Sequence, residues 1–390
     1  MANALTTALG RANSAASTPL ALTTAYDTKY DLYLKLFSGE LFKGFQHNTI
    51  ARDLVMKRTL KNGKSLQFIY TGRMSADYHT PGTPILGQEN ALPVAEKTIQ
   101  MDDLLISSAF VYELDETLAH YELRGEISKK IGYALAERYD RNIFRAITRG
   151  ARQVSPITVS NRKEPGGGQV QVGANAADAL DAGKLIDAFF NAAAMLDEKG
   201  VSSSGRVAVI SPRQYYALVQ NANNTGAGLI NRDVEGTALQ SGQGVVEVAG
   251  IKLYKSMNIP FQGKFGTGSA SEAGTYRGGS FVGAAMDNQD DSVNGVNNDY
   301  GNGSGSGTGA NAFSTSCGLV FQKEAAGVVE AIGPQVQVTN GDVSVMYQGD
   351  IILGRLAMGA DFLNPAACVE LFAGTTTKPS AFGTTYPANA

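Results

Sequence analysis

From Asp115 to Gly150 apolar positions return every fourth residue, through Ile127, Ile131, Leu135, Tyr139 and Ile143. That spacing traces one slowly drifting stripe on a helix with a buried side and a wet side. Asp115, beside Glu116, supplies an acidic cap, Arg145 and Arg149 occupy the last turn, Gly150 follows, and no proline interrupts the run. At 1.5 Å per residue a helix over 116–149 spans roughly 50 Å, against about 30 Å for a small domain, which predicts an elongated molecule with this helix as its spine. On the wet side Glu126 can meet Lys130 and Glu137 can meet Arg141, each pair contributing about 0.2–0.5 kcal/mol. Gly125 and Gly132 lie on nearly one face and cost about 0.8–1 kcal/mol each relative to alanine. Either another backbone approaches there or a bend is tolerated.

Upstream the period changes. Residues 1–25 are rich in Ala, Thr and Ser and read as an arm, followed over 31–45 by an amphipathic segment with Leu32, Leu36 and Phe37 on one side. Val55 to Leu60 and Leu66 to Tyr70 read as strands joined at Lys61-Asn62-Gly63-Lys64, whose Asn-Gly is a hairpin signal. A return strand is expected from Lys97 to Gln100, continuing through Leu104 to Tyr112. The ribbon reads as a projecting arm, and isolated two-stranded ribbons are marginal in water, so it needs a surface to lie on.

Downstream, 154–177 holds Pro156, Pro165 and Gly166-Gly167-Gly168 without an apolar period and reads as a connector into a new domain. A helix is expected over Ala179 to Lys199 and a buried strand over Arg206 to Ile210. Ser211-Pro212 then reads as a cap and first-turn proline opening a helix to Gln220. Strands follow near 245–248, 251–254, 318–322, 327–332, 350–356 and 367–372. The mixed order predicts an α+β fold. Residues 263–312 are glycine-rich and low in complexity, and no Lys or Arg lies between Arg277 and Lys323 while Asp287, Asp290, Asp291 and Asp299 do. An acidic exposed loop on the outside of any assembly is expected there.

Composition sharpens this picture. Hydrophobic residues make up 43% and charged residues 18% of the 390, so much surface is expected to be buried against other subunits. A net charge of −3 argues against a generally basic nucleic-acid binder. Cys317 and Cys368 are the only cysteines, which excludes a disulfide framework and a thiolate-rich metal site within one chain. Neither a signal-peptide pattern nor an apolar run of about 18 residues is present.

Catalytic chemistry finds no footing. His47, His79 and His120 lie in separate segments outside any metal-binding pattern. Gly63-Lys64-Ser65 resembles the end of a phosphate loop, but Arg58 stands where glycine is needed. Asp290, Ser292, Asn294 and Gly295 open like a calcium loop whose twelfth position is Gly301 instead of glutamate. The chain is read as a non-enzyme with no cofactor or metal. Basic residues are more telling: Arg52, Lys57, Arg58, Lys61, Lys64 and Arg73 collect around the hairpin, with Asp53 the only acid among them. The preferred partner is an acidic strip on a neighbouring subunit, formed by Glu113, Glu116, Glu122 and Glu126; a solvated ribbon and nucleic acid are the alternatives. Arg145, Arg149 and Arg152 are read as completing the helix C-terminus, with a modest effect on stability.

The order of arm, hairpin, strand into spine helix, α+β domain and returning C-terminus resembles the HK97-type major capsid fold. Leu34-Lys35-Leu36-Phe37-Ser38-Gly39-Glu40, Gly63-Lys64-Ser65-Leu66-Gln67-Phe68, Asp102-Asp103-Leu104-Leu105, Glu113-Leu114-Asp115-Glu116 and Tyr121-Glu122-Leu123-Arg124 resemble the T7-like podovirus major capsid proteins. Arg206 to Pro212 and Val248-Ala249-Gly250-Ile251 match the pattern of the domain lining the capsomer centre in such shells. The resemblance implies an N-terminal arm (1–50), an extended loop (51–98), a peripheral domain (99–177 and 333–372), an axial domain (178–332) and a C-terminal tail (373–390). The segment 263–312 is longer than the insertion expected there. Also implied are hexamers and pentamers tiling an icosahedral shell around double-stranded DNA, assembled in the host bacterial cytoplasm with a scaffolding protein and a portal and without membrane. An encapsulin-like cellular shell shares the fold and is the alternative; a soluble α+β enzyme is a more distant one.

Overall fold

The computed structural model describes residues 50–74, 78–82, 92–101, 104–112, 123–154, 157, 164–221, 247–256, 258–259, 316–338, 348–373, 376 and 378. The expected arm and amphipathic segment, the acidic residues Glu113, Glu116 and Glu122, the loop 263–312, and His47 and His120 lie outside them.

Along the chain run α1 (Ala51–Leu54), β1 (Met56–Thr59), β2 (Ser65–Thr71), β3 (Val94–Gln100), β4 (Leu105–Tyr112) and the long helix α2 (Leu123–Ala151). Then come β5 (Gly168–Gly173), α3 (Ala182–Glu198), β6 (Arg206–Ile210), α4 (Pro212–Asn221), β7 (Glu247–Val248) and β8 (Ile251–Lys255). The chain continues through β9 (Ser316–Gln322), β10 (Ala326–Val338), β11 (Gly349–Phe362) and β12 (Cys368–Ala373). The chain divides into two compact units, one formed by 1–48, 103–136 and 332–357 and the other by 49–102, 137–331 and 358–390.

In the first unit β4 and β11 pair antiparallel, from Tyr112 opposite Gly349 to Leu105 opposite Leu356. Ile131 and Leu135 of α2 pack with Val111 and Ile352, and Ile127 leans on the same cluster, so the four-residue stripe is the buried face here. Gly354 lets the helix sit close, since a Cβ there would come within 2.3 Å of Ile131. Among the described residues nothing lies within 4 Å of such a Cβ at Gly132, so no described backbone makes a close approach there.

In the second unit a six-stranded sheet runs in the order β5-β12-β9-β6-β8-β7. Its central strand β6 is buried at every residue, as its unbroken Arg-Val-Ala-Val-Ile run predicts. Asp181 caps α3 through the Gly183 N–H at 3.0 Å. Ser211 and Gln214 form a reciprocal cap on α4, with Gln214 N–H donating to Ser211 Oγ (3.3 Å) and Ser211 N–H to Gln214 Oε1 (3.0 Å). The expected connector proves to contain β5, which joins the sheet parallel to β12. Gln169-Val170-Gln171-Val172 alternates as a strand, but its flanking glycines hid the signal.

The expected hairpin is corrected. β1 does not pair with β2; it lies parallel to β10, from Met56 opposite Gly327 to Thr59 opposite Glu330. The ribbon is β2 with β3, in register from Ser65 opposite Gln100 to Thr71 opposite Val94. Gly63, at φ +96°, lies in the bend over 61–64, but a bend does not choose the partner of the strands beside it. Burial decides the partner: Leu60, Ile99 and Val329 form one cluster with Leu66, Phe68 and Leu363 around it, which β1 reaches only from beside β10. The return strand also breaks, β3 ending at Gln100 and β4 starting at Leu105.

Candidate subunit-contact site

The basic residues around the ribbon fall into two groups, separated by what they touch. Lys57 and Arg52 point at Glu330, at 2.6 Å and 3.2 Å, and Tyr139 donates its hydroxyl to the same carboxylate at 2.7 Å. Glu330 is only 4% exposed, in the apolar run Gly327-Val328-Val329-Glu330-Ala331-Ile332. Burial alone would raise its carboxyl; the hydrogen bonds from Lys57, Tyr139 and Arg52 outweigh that and hold it below the usual range. Burial and the neighbouring carboxylate together push the Tyr139 hydroxyl well up. Arg73 contacts Glu164 at 3.5 Å and donates to the Lys199 carbonyl, so it too is engaged within its own chain.

Arg58, Lys61 and Lys64 are exposed. Arg58 lies over the Phe68 ring at 5.4 Å, and neither Lys61 nor Lys64 has an ion-pair partner among the described residues. Lys97, which the sequence reading did not single out, ties the ribbon to Asp361 (2.7 Å) and sits 3.9 Å over Phe362. Of the acidic strip only Glu126 is described, half-buried in the first turns of α2.

These placements separate stability from association. Lys57→Glu puts a second negative charge against the buried Glu330 and is expected to lower the subunit's unfolding free energy by about 1–3 kcal/mol. The double reversal Lys61→Glu with Lys64→Glu is expected to stay within about 0.5 kcal/mol. Denaturant melts of unassembled subunits check both.

A second buried group lies at the start of α1. Asp140 of α2 accepts from the Ile50 and Ala51 N–H groups, each at 3.1 Å, and from the Asn258 amide at 3.3 Å. Burial raises its carboxyl to about 6, although those three hydrogen bonds pull it down and Glu137 adds to the rise. The folded chain therefore holds this proton more tightly than the unfolded chain, where an Asp titrates near 3.9. Stability from this group is present below about pH 4 and is lost as pH rises through about 6. Asp140→Asn is expected to flatten that slope, read from denaturation midpoints at pH 4.5, 6 and 7.5.

Among the described residues neither cysteine is activated. Burial pushes the Cys317 thiol up and the Cys368 thiol to about 12, leaving neither as a nucleophile. Among the described residues no group of three His, Cys, Asp or Glu side chains could hold a metal, and no helix is long and apolar enough to cross a membrane. The outer face of the ribbon, by contrast, leaves Ile69 77% and Val94 58% exposed, with Met74 and Leu92 nearby in sequence also exposed.

Comparison with known proteins gives these features a context. The model of the Gp10A-like family, described as major capsid protein, matches residues 67–282. The major capsid protein of Escherichia phage T7 is 30% identical over 208 residues, which are 51% of this chain and 60% of the T7 protein. The match thus spans 60% of that relative's length, under two thirds. Over a longer span it is 31% identical to the chain in the capsid structure of cyanophage P-SCSP1u, covering 89% of this chain and 94% of that one at a TM-score of 0.65. The mature capsid of bacteriophage PhiM1 shares the fold at a TM-score of 0.61 with 15% identity, in keeping with an HK97-type architecture. The matched residues include most of the β2–β3 ribbon, α2 and the β6–α4 unit, and the chain belongs to the Gp10A-like family of major capsid proteins.

Proposed function

We propose that this chain is the repeating subunit of an icosahedral shell, assembling as hexamers and pentamers around double-stranded DNA. A scaffolding protein and a portal would serve as assembly partners in the host bacterial cytoplasm. The observation that carries the reading is the ribbon: a two-stranded sheet whose outer face leaves Ile69 and Val94 exposed, within a chain of capsid family. In this reading 1–50 is the arm, 51–98 the extended loop, 99–177 with 333–372 the peripheral domain and 178–332 the axial domain. The exposed Arg58, Lys61 and Lys64 face the strip Glu113, Glu116, Glu122 and Glu126 of a neighbouring subunit, while Lys57 and Arg73 brace their own chain. Each exposed pair contributes only about 0–1 kcal/mol, so the effect comes from repetition around the shell.

Sedimentation of the protein coexpressed with a scaffold tests this. Wild type is expected to yield large closed particles, and the Lys61→Glu, Lys64→Glu variant to yield fewer from subunits of unchanged stability. Monomers alone from wild type would overturn the shell reading; full particle yield from the variant would overturn the charge assignment.

A further inference from the structure

The hydrogen bonds of the ribbon fix which of its main-chain groups are used. At one end the Met101 N–H donates to the Lys64 carbonyl (2.9 Å), and at the other the Gly72 N–H donates to the Pro93 carbonyl (2.8 Å). Antiparallel pairs alternate, and counting in twos from either end puts Leu66, Phe68 and Tyr70 in hydrogen-bonded pairs with β3. Ser65, Gln67, Ile69 and Thr71 then turn their N–H and C=O groups away from β3. Among the described residues no strand lies on that side.

A cleft of about 680 Å³ borders this edge. Its lining takes in every residue from Phe68 to Arg73 but only Lys97 from β3. Since Ile69 and Thr71 belong to the exposed positions of the alternating strand, the unbroken run means that the main-chain edge itself faces the cleft. The far wall is formed by Val201, Gln322 and Asn364. Four cationic residues, Arg58, Arg73, Lys97 and Lys199, line the cleft against Glu164 and Glu324.

We infer that the free edge of β2 takes up an extended, carboxylate-bearing segment of a second copy of this chain as a third strand. At about 3.3–3.4 Å per residue, Phe68 to Arg73 offers roughly 20 Å of edge, enough for a short strand. Main-chain pairing supplies the binding; Arg73 and Lys97 are already paired with Glu164 and Asp361, so Arg58 and Lys199 are the cations of the lining that select for acid in the incoming segment. The inference rests on the shell-subunit reading, because a second copy must be at hand.

Hydrogen exchange resolved to single amides tests it, comparing unassembled subunits with empty, DNA-free shells of the full chain. The amides of Gln67, Ile69 and Thr71 are expected to exchange quickly in the subunit and at least about 100-fold more slowly in the shell. Those of Leu66, Phe68 and Tyr70 should be protected in both. Fast exchange at 67, 69 and 71 in shells would overturn the inference. Protection already present in the subunit would assign the edge to a segment of the same chain, and protection appearing only in DNA-filled shells would assign it to nucleic acid; either result also overturns it. As a second arm, Thr71→Pro removes an N–H the ribbon does not use, so it is expected to keep the subunit melt and lose at least about tenfold in shell yield. Thr71→Ala should assemble normally. Equal yields from the two variants would count against the edge, and if Thr71→Pro does not fold the exchange pattern decides. Failure of wild type to form any shell is a different result and bears on the shell reading itself.

Discussion

Replacing Arg152 with alanine is expected to unfold the subunit on the order of 10 °C earlier than wild type, the largest effect of any single charge removal considered. Arg152 leaves the end of α2 and grips Glu370 of β12 with two hydrogen bonds, Nε to Oε2 at 2.7 Å and Nη2 to Oε1 at 2.5 Å. Gln169 adds a third at 3.1 Å, and Ser316 donates to the same carboxylate. Glu370 is 0% exposed, so truncating Arg152 strands a carboxylate in the core, at a cost of about 3–5 kcal/mol. This replaces the modest effect expected when Arg152 was read as completing the helix C-terminus: the side chain has turned into the sheet. Arg149 is closer to that expectation, with Asp361 at 3.8 Å. Exchanging both partners, Arg152→Met with Glu370→Met, should recover much of the loss, since no unpaired charge remains; Ser316 and Gln169 would limit the recovery. Thermal melts of the two variants form the comparison, and a single mutant as stable as the double would contradict the stranded-charge account.

Gly167→Ala is expected to be nearly as damaging, without removing any interaction. A Cβ at Gly167 would lie 2.2 Å from the Ala151 carbonyl oxygen and 2.4 Å from that of Gly150. The atoms in the way are backbone at the end of α2, which no rotamer change can clear. The Gly167 N–H is also committed to the Gln153 carbonyl at 2.8 Å. Overpacking in a filled site costs about 1–3 kcal/mol, and a backbone obstacle puts this substitution at the upper end or beyond. Gly205→Ala serves as a comparison that meets no atom within 4 Å and carries only the strain of its φ of +73°. A Gly167 variant no less stable than the Gly205 one would show that the helix end can move aside.

Periodicity and caps are local, and they were read well: the four-residue stripe of α2 is buried from Ile131 through Ile143, β6 falls on Arg206–Ile210, and Ser211 caps α4 as expected. Partner choice is not local. Asn62-Gly63 marks the break between two strands, but the hairpin it suggested does not form, because β1 goes to β10 and β2 to β3. Glycines were equally ambiguous, because Gly166-Gly167-Gly168 reads as a flexible connector until the neighbouring helix end is known. Glu330 did leave a trace, a lone acid in an apolar strand run, which implies buried cations nearby without naming Lys57 and Arg52. Of the candidate contact residues, the sequence grouped six basic side chains by proximity. Only their contacts show that Arg52, Lys57 and Arg73 serve their own chain while Lys61 and Lys64 remain exposed.

Cryo-electron microscopy of particles made by coexpressing the chain with a scaffolding protein tests the central claim most directly. Closed icosahedral shells built of hexamers and pentamers are expected, with Ile69 and Val94 of the β2–β3 ribbon covered by a neighbouring subunit. Dispersed monomers, or shells in which that face stays open to solvent, would contradict it.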